Sequence, residues 1–171
     1  MPVGQPTSLL SMASTRSSAT VWRAGPADAD AVARLMLEFR DHLGKREPPH
    51  HSFSESARRL IDDPHTEFWL ASPAPGGPAA AVCQIRFRHS IWTGVDDCWL
   101  EDLFVRSGAR GRGLGRSLVQ RVLERAAERG CARVELDTNE DNAAAIGLYE
   151  RLGFSVTSKG ESRSLMFGIR V

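Results

Sequence analysis

The sequence predicts an α+β fold with a mixed, mostly antiparallel central sheet flanked by helices. Three observations predict it. Apolar residues recur at helical spacing early in the chain, strand-like runs separated by turn residues follow, and a strand–glycine-rich turn–helix–strand unit comes after them. Helices first, antiparallel strands next and one strand–helix–strand unit late is not the uniform alternation of a parallel α/β protein. With 171 residues the chain has room for one domain and one sizeable core.

The elements follow in order. Residues 1–18, rich in Ser and Thr, lack the basic start and apolar run of a secretory signal and read as a disordered N-terminal tail, leaving 19–171 as the single domain. Thr20 to Arg23 reads as a short strand. Pro26 then starts a helix carrying Ala31, Val32, Leu35, Met36, Phe39 and Leu43, which runs to about His42 and ends at Gly44. After a Pro-rich loop, Ser54 is placed to cap a shorter helix bearing Ala57, Leu60 and Ile61, stopped by Asp63-Pro64. Glu67 to Ser72 and Ala79 to Arg88 read as a hairpin around a Pro- and Gly-rich turn, and Cys98 to Val105 as a third strand. A long helix follows, with Leu114, Leu118, Val119, Val122, Leu123, Ala126 and Ala127 inward, and Arg121, Glu124, Arg125 and Glu128 towards water, until Gly130. The remainder reads as strand Val134 to Asp137, helix Asn142 to Leu152, and strands Phe154 to Thr157 and Ser164 to Arg170.

Composition excludes several classes. Apolar residues make up 42% and charged residues 25%, and 22 basic against 21 acidic residues give a net charge of +1. That balance provides no global attraction for nucleic acid or an anionic membrane, so neither is an expected partner and any polyanion site must be local. No apolar run approaches the roughly 18 residues of a membrane span. Cys83, Cys98 and Cys131 are odd in number and form no C-x-x-C pair, which fits core packing in the reducing cytoplasm and gives no metal site.

The most informative segment runs from Leu103 to Leu118. A strand feeds Arg110, Gly111, Arg112, Gly113, Leu114 and Gly115, and a helix starts at once. Glycines let backbone N–H groups crowd round one anion, and a helix N-terminus adds partial positive charge, so a pyrophosphate suits the turn. Arg110, Arg112 and Arg116 add local cations. A P-loop is excluded, because no Lys-Ser or Lys-Thr pair occurs here. A dinucleotide fingerprint fits poorly: Arg116 or Leu118 stands where its third glycine belongs, although Asp137 ends the next strand as that motif's acidic residue does. A bare Arg-Gly loop with no ligand is the plainest reading.

The acyl-CoA pattern Q/R-x-x-G-x-G/A is matched by Arg110, Gly113 and Gly115. Downstream, Asn142, Ala145, Leu148, Tyr149, Gly153 and Phe154 match N-x-x-A-x-x-L-Y-x-x-x-G-F. On these two motifs, in this order and at this spacing, the chain resembles the GNAT superfamily of N-acetyltransferases over about residues 19–170. The strand Trp99-Leu100-Glu101-Asp102-Leu103-Phe104-Val105 is also similar to that of the diamine and polyamine acetyltransferases. The resemblance implies a GNAT fold, acetyl-CoA as co-substrate, transfer to an amine and, commonly, a homodimer. It places the CoA arm on the glycine turn and Asn142, and the thioester carbonyl and pantetheine on the backbone of Leu103, Phe104 and Val105. It makes Tyr149 the general acid for the departing thiolate and Glu101 the general base, usually through water. Proline is frequent in the family just after the strand; Arg106 to Ala109 stand there instead.

Each residue also has a plainer role. Asn142 is suited to cap its helix, and Tyr149 to be one more core aromatic. Two carboxylates inside an apolar strand are expensive to bury unless paired or functional, and Glu101 has Arg86 or Arg88 as possible partners. Strict alternation puts Glu101 on one face with Trp99 and Leu103, and Asp102 on the other. Asp96, Asp97, Glu101 and Asp102 with Trp92 and Trp99 favour a small-molecule amine bearing a second positive charge. Arg86, Arg88 and His89 leave open an acceptor with a carboxylate, such as an amino acid. Residues 40–65 and 89–97, which would line that site, carry no signature. An acyl-CoA-binding module without catalysis is the rival from another class.

Overall fold

A computed structural model describes residues 19–155. Strand β1 (Thr20–Arg23) is followed by a 3-10 turn at Pro26–Asp28, helix α1 (Ala29–His42), helix α2 (His50–Ile61), and strands β2 (Thr66–Ser72), β3 (Ala81–His89) and β4 (Asp96–Val105). A second 3-10 turn at Ser107–Ala109 leads to helix α3 (Leu114–Glu128), strand β5 (Val134–Glu135) and helix α4 (Ala143–Arg151). The strands form one sheet in sequence order, antiparallel from β1 to β4 and parallel between β4 and β5. The α+β architecture with its mixed sheet is the expected one.

Alternation on β3 divides the core. Cys83, Ile85 and Phe87 join Leu114, Leu118, Val119, Val122 and Tyr149 on the α3–α4 side. Val82 joins Val32, Leu35, Phe68 and Phe104 on the α1–α2 side. Each buried Leu or Val side chain is worth ~1.5–3 kcal/mol, so Leu114, Leu118, Val119 and Val122 of α3 alone fix that helix firmly to the sheet. Burial raises the thiols of Cys83 and Cys98, the latter to about 12, which leaves both as neutral core residues.

Several boundaries differ from the sequence reading. Helix α2 begins at His50 behind an extended Pro49, not at Ser54, because proline's fixed φ of −68° suits a helix entrance. Leu43 is 49% exposed and lies outside the core stripe of α1. On α3, Arg125 does not simply face water. It makes a forked contact with Glu67, at 3.1 Å from Nε and 2.9 Å from Nη2, and Glu67 is buried on the underlying β2. Strand β5 is two residues long rather than four, and Phe154 and Ser155 are irregular. The remainder of the predicted 154–157 strand, the 164–170 strand and the 1–18 tail lie outside the described residues.

The consequential difference is in β4. Gln84 pairs with Asp102, but the next residue, Ile85, pairs with Leu100, so Glu101 is an extra residue in a β-bulge. Leu100 and Leu103 therefore both pack towards α3. Glu101 and Asp102 both lie on the opposite face, Glu101 against Gln84 and Arg86, Asp102 as the register partner of Gln84. The expected separation of the two carboxylates does not occur, and Trp99 and Leu103 occupy opposite faces. Finally, β5 pairs with β4 only at Cys98–Val134 and Trp99–Glu135. Beyond Trp99 that edge of β4 has no strand partner among the described residues, which leaves a notch in the pairing beside residues 100–105.

Candidate active site

The notch leads into the glycine-rich turn. Gly111 and Gly113 have φ of 75° and 80°, left-handed values that a β-carbon disfavours. Gly113 is the N-cap of α3, with no side chain capping the helix. The first helical bond is donated by the Ser117 N–H to the Gly113 carbonyl at 2.9 Å. The N–H groups of Gly113, Leu114 and Gly115 make no backbone hydrogen bond among the described residues. Three adjacent donors at the positive end of a helix dipole are a preformed anion cradle. Leu114 is turned away from it into the core at 1% exposure, and a β-carbon on Gly111 would meet nothing within 4 Å. On the inner side, a β-carbon on Gly115 would lie 3.5 Å from Leu148 and 3.7 Å from Val105, so the turn is close to the wall formed by α4 and β4. These features fit a pyrophosphate.

Arg112 and Arg116 are exposed beside the cradle. Arg110 is directed elsewhere. Its Nε donates to the Val105 carbonyl at 3.1 Å, and its Nη2 lies 3.1 Å from His42 Nε2. The next arginine towards the strand, Arg106, forms a forked pair with Glu38 of α1, with Nε 2.7 Å from Oε2. These contacts close a pocket of about 380 Å³ between the end of α1 and the turn, lined by His42, Phe104, Ser107 and Gly108 among others. It adjoins the turn but contains neither Glu101 nor Tyr149. Along the strand, Leu103 and Val105 face α3, while Phe104 stacks on Phe39 at 5.4 Å on the α1 side.

Glu101 is fixed on the α1-side face. Gln84 Nε2 donates to its Oε2, and Arg86 Nε lies 3.5 Å from Oε1, within ion-pair range but without a hydrogen bond. Burial, and then the neighbouring Glu101 charge, push the Asp102 carboxyl above the usual carboxylate range. Tyr149 stands on the other face of β4. It is buried at 8% exposure, meets Phe154 edge-on at 5.7 Å, and has its phenol pushed up to about 12 by burial in the apolar cluster. Its hydroxyl makes no hydrogen bond among the described residues. Asn142 caps α4, its Oδ1 accepting the Ala145 N–H at 3.2 Å.

The acidic cluster expected around the strand is largely neutralised. Asp96 contacts Arg129 at 3.3 Å and His89 at 3.4 Å, and Asp97 contacts Arg133 at 2.9 Å. The face of Trp99 is covered by Arg88, 4.9 Å from the ring centroid. Sequence reasoning did not single out Gln84, Arg106 or Glu38. A glutamine inside the otherwise apolar run from Ala79 to Ile85 was the available signal for the first.

Residues 32–154 match the Acetyltransferase (GNAT) family. A thialysine N-epsilon-acetyltransferase of Bos taurus is 28% identical over 78% of this chain and 82% of its own length. The Sus scrofa enzyme of that name is 36% identical over 47% of the chain, a match spanning about half of the pig protein. An L-methionine sulfoximine/L-methionine sulfone acetyltransferase of Pseudomonas aeruginosa is 38% identical over 39% of the chain and 38% of its length. Among solved structures, an aminoglycoside N-acetyltransferase in complex with CoA superposes with a TM-score of 0.73 at 19% identity, covering 90% of this chain and 95% of that one. A ribosomal-protein-alanine N-acetyltransferase from Brucella melitensis biovar Abortus 2308 gives 0.70 at 19% identity, covering 87% and 99%. The amide-lined turn, the notch beside β4 and a family match over most of the chain lead to one conclusion: this protein belongs to the GNAT acetyltransferase family, whose co-substrate is acetyl-CoA.

Proposed function

We propose that the chain is an N-acetyltransferase that moves the acetyl group of acetyl-CoA directly to a primary amine, with both substrates bound at once. The observation that carries this reading is the placement of Glu101 and Tyr149 on opposite faces of β4, where that strand has left β5. A reacting group in the notch is then open to a base from one side and an acid from the other.

Acetyl-CoA supplies an activated acyl group and a thiolate leaving group. The amides of Gly113, Leu114 and Gly115 hold its pyrophosphate, with Gly111 keeping the approach clear and Arg112 and Arg116 adding charge. Arg110, released from Val105, and Asn142 are assigned to the same arm, and the free edge at Leu103, Phe104 and Val105 to the pantetheine and thioester carbonyl. Glu101, held by Gln84, takes the proton that the amine must lose, directly or through a water. Tyr149, with its phenol held up near 12, keeps its proton through the neutral range and directs it at the departing sulfur.

Acceptors in this reading are diamines, polyamines and lysine-like amines, supported by the strand around Glu101 and by the bovine relative's named substrate. We assign residues 19–171 to one catalytic domain, active as a homodimer in the cytoplasm, where acetyl-CoA is available and the three free cysteines stay reduced. The test is a panel of amine acceptors with acetyl-CoA, reading free thiol. Acceptor-dependent thiol release is expected. Stabilisation by acetyl-CoA with no release for any amine would reassign the chain as a binding module.

A further inference from the structure

The strand face that carries Glu101 also carries two arginines. Gln84, Arg86 and Arg88 alternate with Ile85 and Phe87, which point into the α3-side core. Helices α1 and α2 cover Val82 and Phe104 at one end of this face. Towards the other end the exposure rises, from buried Gln84 through half-buried Arg86 to exposed Arg88. The face is therefore an open shelf that begins at Glu101 and continues into the two guanidinium groups.

The charges on that shelf favour an anion. Arg88 has no carboxylate partner among the described residues and rests on the Trp99 ring. Arg86 touches Glu101 at 3.5 Å through Nε, which is buried without a hydrogen bond, and its terminal nitrogens make none among the described residues. Asp97, the cross-strand neighbour of Arg88, is engaged by Arg133, and Asp96 by Arg129 and His89. Against two guanidinium groups the shelf offers Glu101, which is needed for the amine, and Asp102; Asp63, beyond Thr66 at the Arg86 side, already accepts from the His65 N–H and the Thr66 hydroxyl. Residues two apart on a strand are spaced ~6.6 Å along it. An acceptor amine at Glu101 thus has a cationic site near it at Arg86 and a second one residue pair further on at Arg88.

We propose that Arg86, with Arg88 beyond it, binds a carboxylate of the acceptor, so that the enzyme selects amines carrying a carboxylate, of the lysine type, over bare diamines and polyamines. This deepens the acetyltransferase reading and rests on it. The planar guanidinium fork suits a carboxylate, and a diamine brings its second cation uncompensated to a site that already holds two, whereas the second ammonium of lysine comes with a carboxylate beside it. Arg86 is a specificity residue here, while Glu101 keeps the proton transfer.

The experiment compares lysine with cadaverine, which differs only by lacking the carboxylate, and with lysinamide, in which it is neutralised. In the wild type, lysine is expected to exceed both in kcat/KM by about ten- to a hundredfold, the range of one charge-assisted hydrogen bond. Arg86→Gln should raise KM for lysine by a similar factor, leave KM for cadaverine unchanged or lower, and collapse the preference. Arg88→Gln, at an exposed position, should produce a smaller loss in the same direction. Calorimetry of lysine and cadaverine with CoA-saturated protein reads the same preference without turnover. Cadaverine or spermidine equal to or better than lysine in the wild type would overturn the proposal, as would an unchanged lysine-to-cadaverine ratio in both variants. Those results leave amine acetylation standing; no thiol release with any amine, alongside calorimetric preference for lysine, would instead remove catalysis and keep the carboxylate site.

Discussion

Substituting Gly113 tests the phosphate cradle most directly. At φ 80°, a residue with a β-carbon costs ~1–2 kcal/mol, and a β-branched one is a severe outlier. For a domain of this size each kcal/mol shifts the melting temperature by ~2–4 °C, so Gly113→Val should lower it by about 2–8 °C without ligand. Acetyl-CoA at a hundred times its dissociation constant adds ~2.7 kcal/mol to the wild type, a rise of about 5–11 °C. Gly113→Val should lose that rise, because its side chain stands among the three free amides. Gly113→Asn separates strain from obstruction: asparagine tolerates left-handed backbone yet still fills the cradle, so it should keep most of the stability and lose the ligand effect. Gly115→Ala is the opposite control. Its β-carbon would meet Leu148 and Val105 at ordinary contact distances of 3.5 and 3.7 Å, and alanine for glycine in a helix adds ~0.5–1 kcal/mol. That variant should melt about 1–4 °C higher and retain the full acetyl-CoA rise. The assay is a thermal melt with and without acetyl-CoA. A full ligand rise in Gly113→Val or Gly113→Asn would place the phosphates elsewhere and refute the argument.

Three further outcomes follow from the same geometry. Tyr149→Phe should bind acetyl-CoA normally and lose ~10²–10⁴ in kcat. The same variant should lose a pH effect on stability: the folded phenol titrates near 12 rather than 10, so the wild type is destabilised as pH rises from 10 towards 12, and phenylalanine removes that slope; a wild-type rate would return Tyr149 to the core. Glu101→Gln should reduce kcat by ~10²–10⁴. A small loss of rate together with an acidic limb of the pH profile that moves to lower pH would make Asp102 the base, because removing the Glu101 charge lowers Asp102. Glu67→Gln should cost about 2–3 kcal/mol in chemical denaturation, below the full penalty of a broken buried pair because Arg125 retains Glu128 at 3.2 Å; a change under ~0.5 kcal/mol would mean the pair is isoenergetic with its amide.

Local motifs were legible, and long-range register was not. The turn from Arg110 to Gly115 and the helix behind Asn142 announce themselves because each depends on residues within one turn of one another: left-handed glycines, an N-cap, an apolar stripe. The bulge at Glu101 depends on how β4 meets β3, and alternation counted along one strand has no access to it. The same limit hid the neutralisation of Asp96 and Asp97, whose arginines come from the end of α3 and the approach to β5. It also hid Glu67, which is polar within an apolar run for a reason 58 residues away, at Arg125. Proline at position 49 was misjudged for a simpler reason. The sequence reads as a Pro-rich loop up to a cap at Ser54, whereas the extended backbone of Pro49 is the helix entrance itself.

The bulge matters because of what regular pairing would do. Leu103 and Val105 must face α3 to seal the wall beside Tyr149 and Leu148. On an unbroken strand, Glu101 would then face α3 as well, two residues before Leu103, and its carboxylate would enter the apolar cluster that holds the Tyr149 phenol. That arrangement buries a charge without a partner and would place the proposed acid and base on the same side of the strand. One inserted residue reverses the alternation upstream while leaving it intact downstream. Glu101 then meets Gln84 and Arg86 on the α1-side face, Tyr149 stays buried on the α3 side, and the edge of β4 between them has no strand partner among the described residues, because β5 has already parted from it. The bulge at Glu101 and the two-residue pairing of β5 thus act together: one puts Glu101 and Tyr149, the proposed base and acid, on opposite faces, and the other leaves the edge of β4 between them without a strand partner among the described residues.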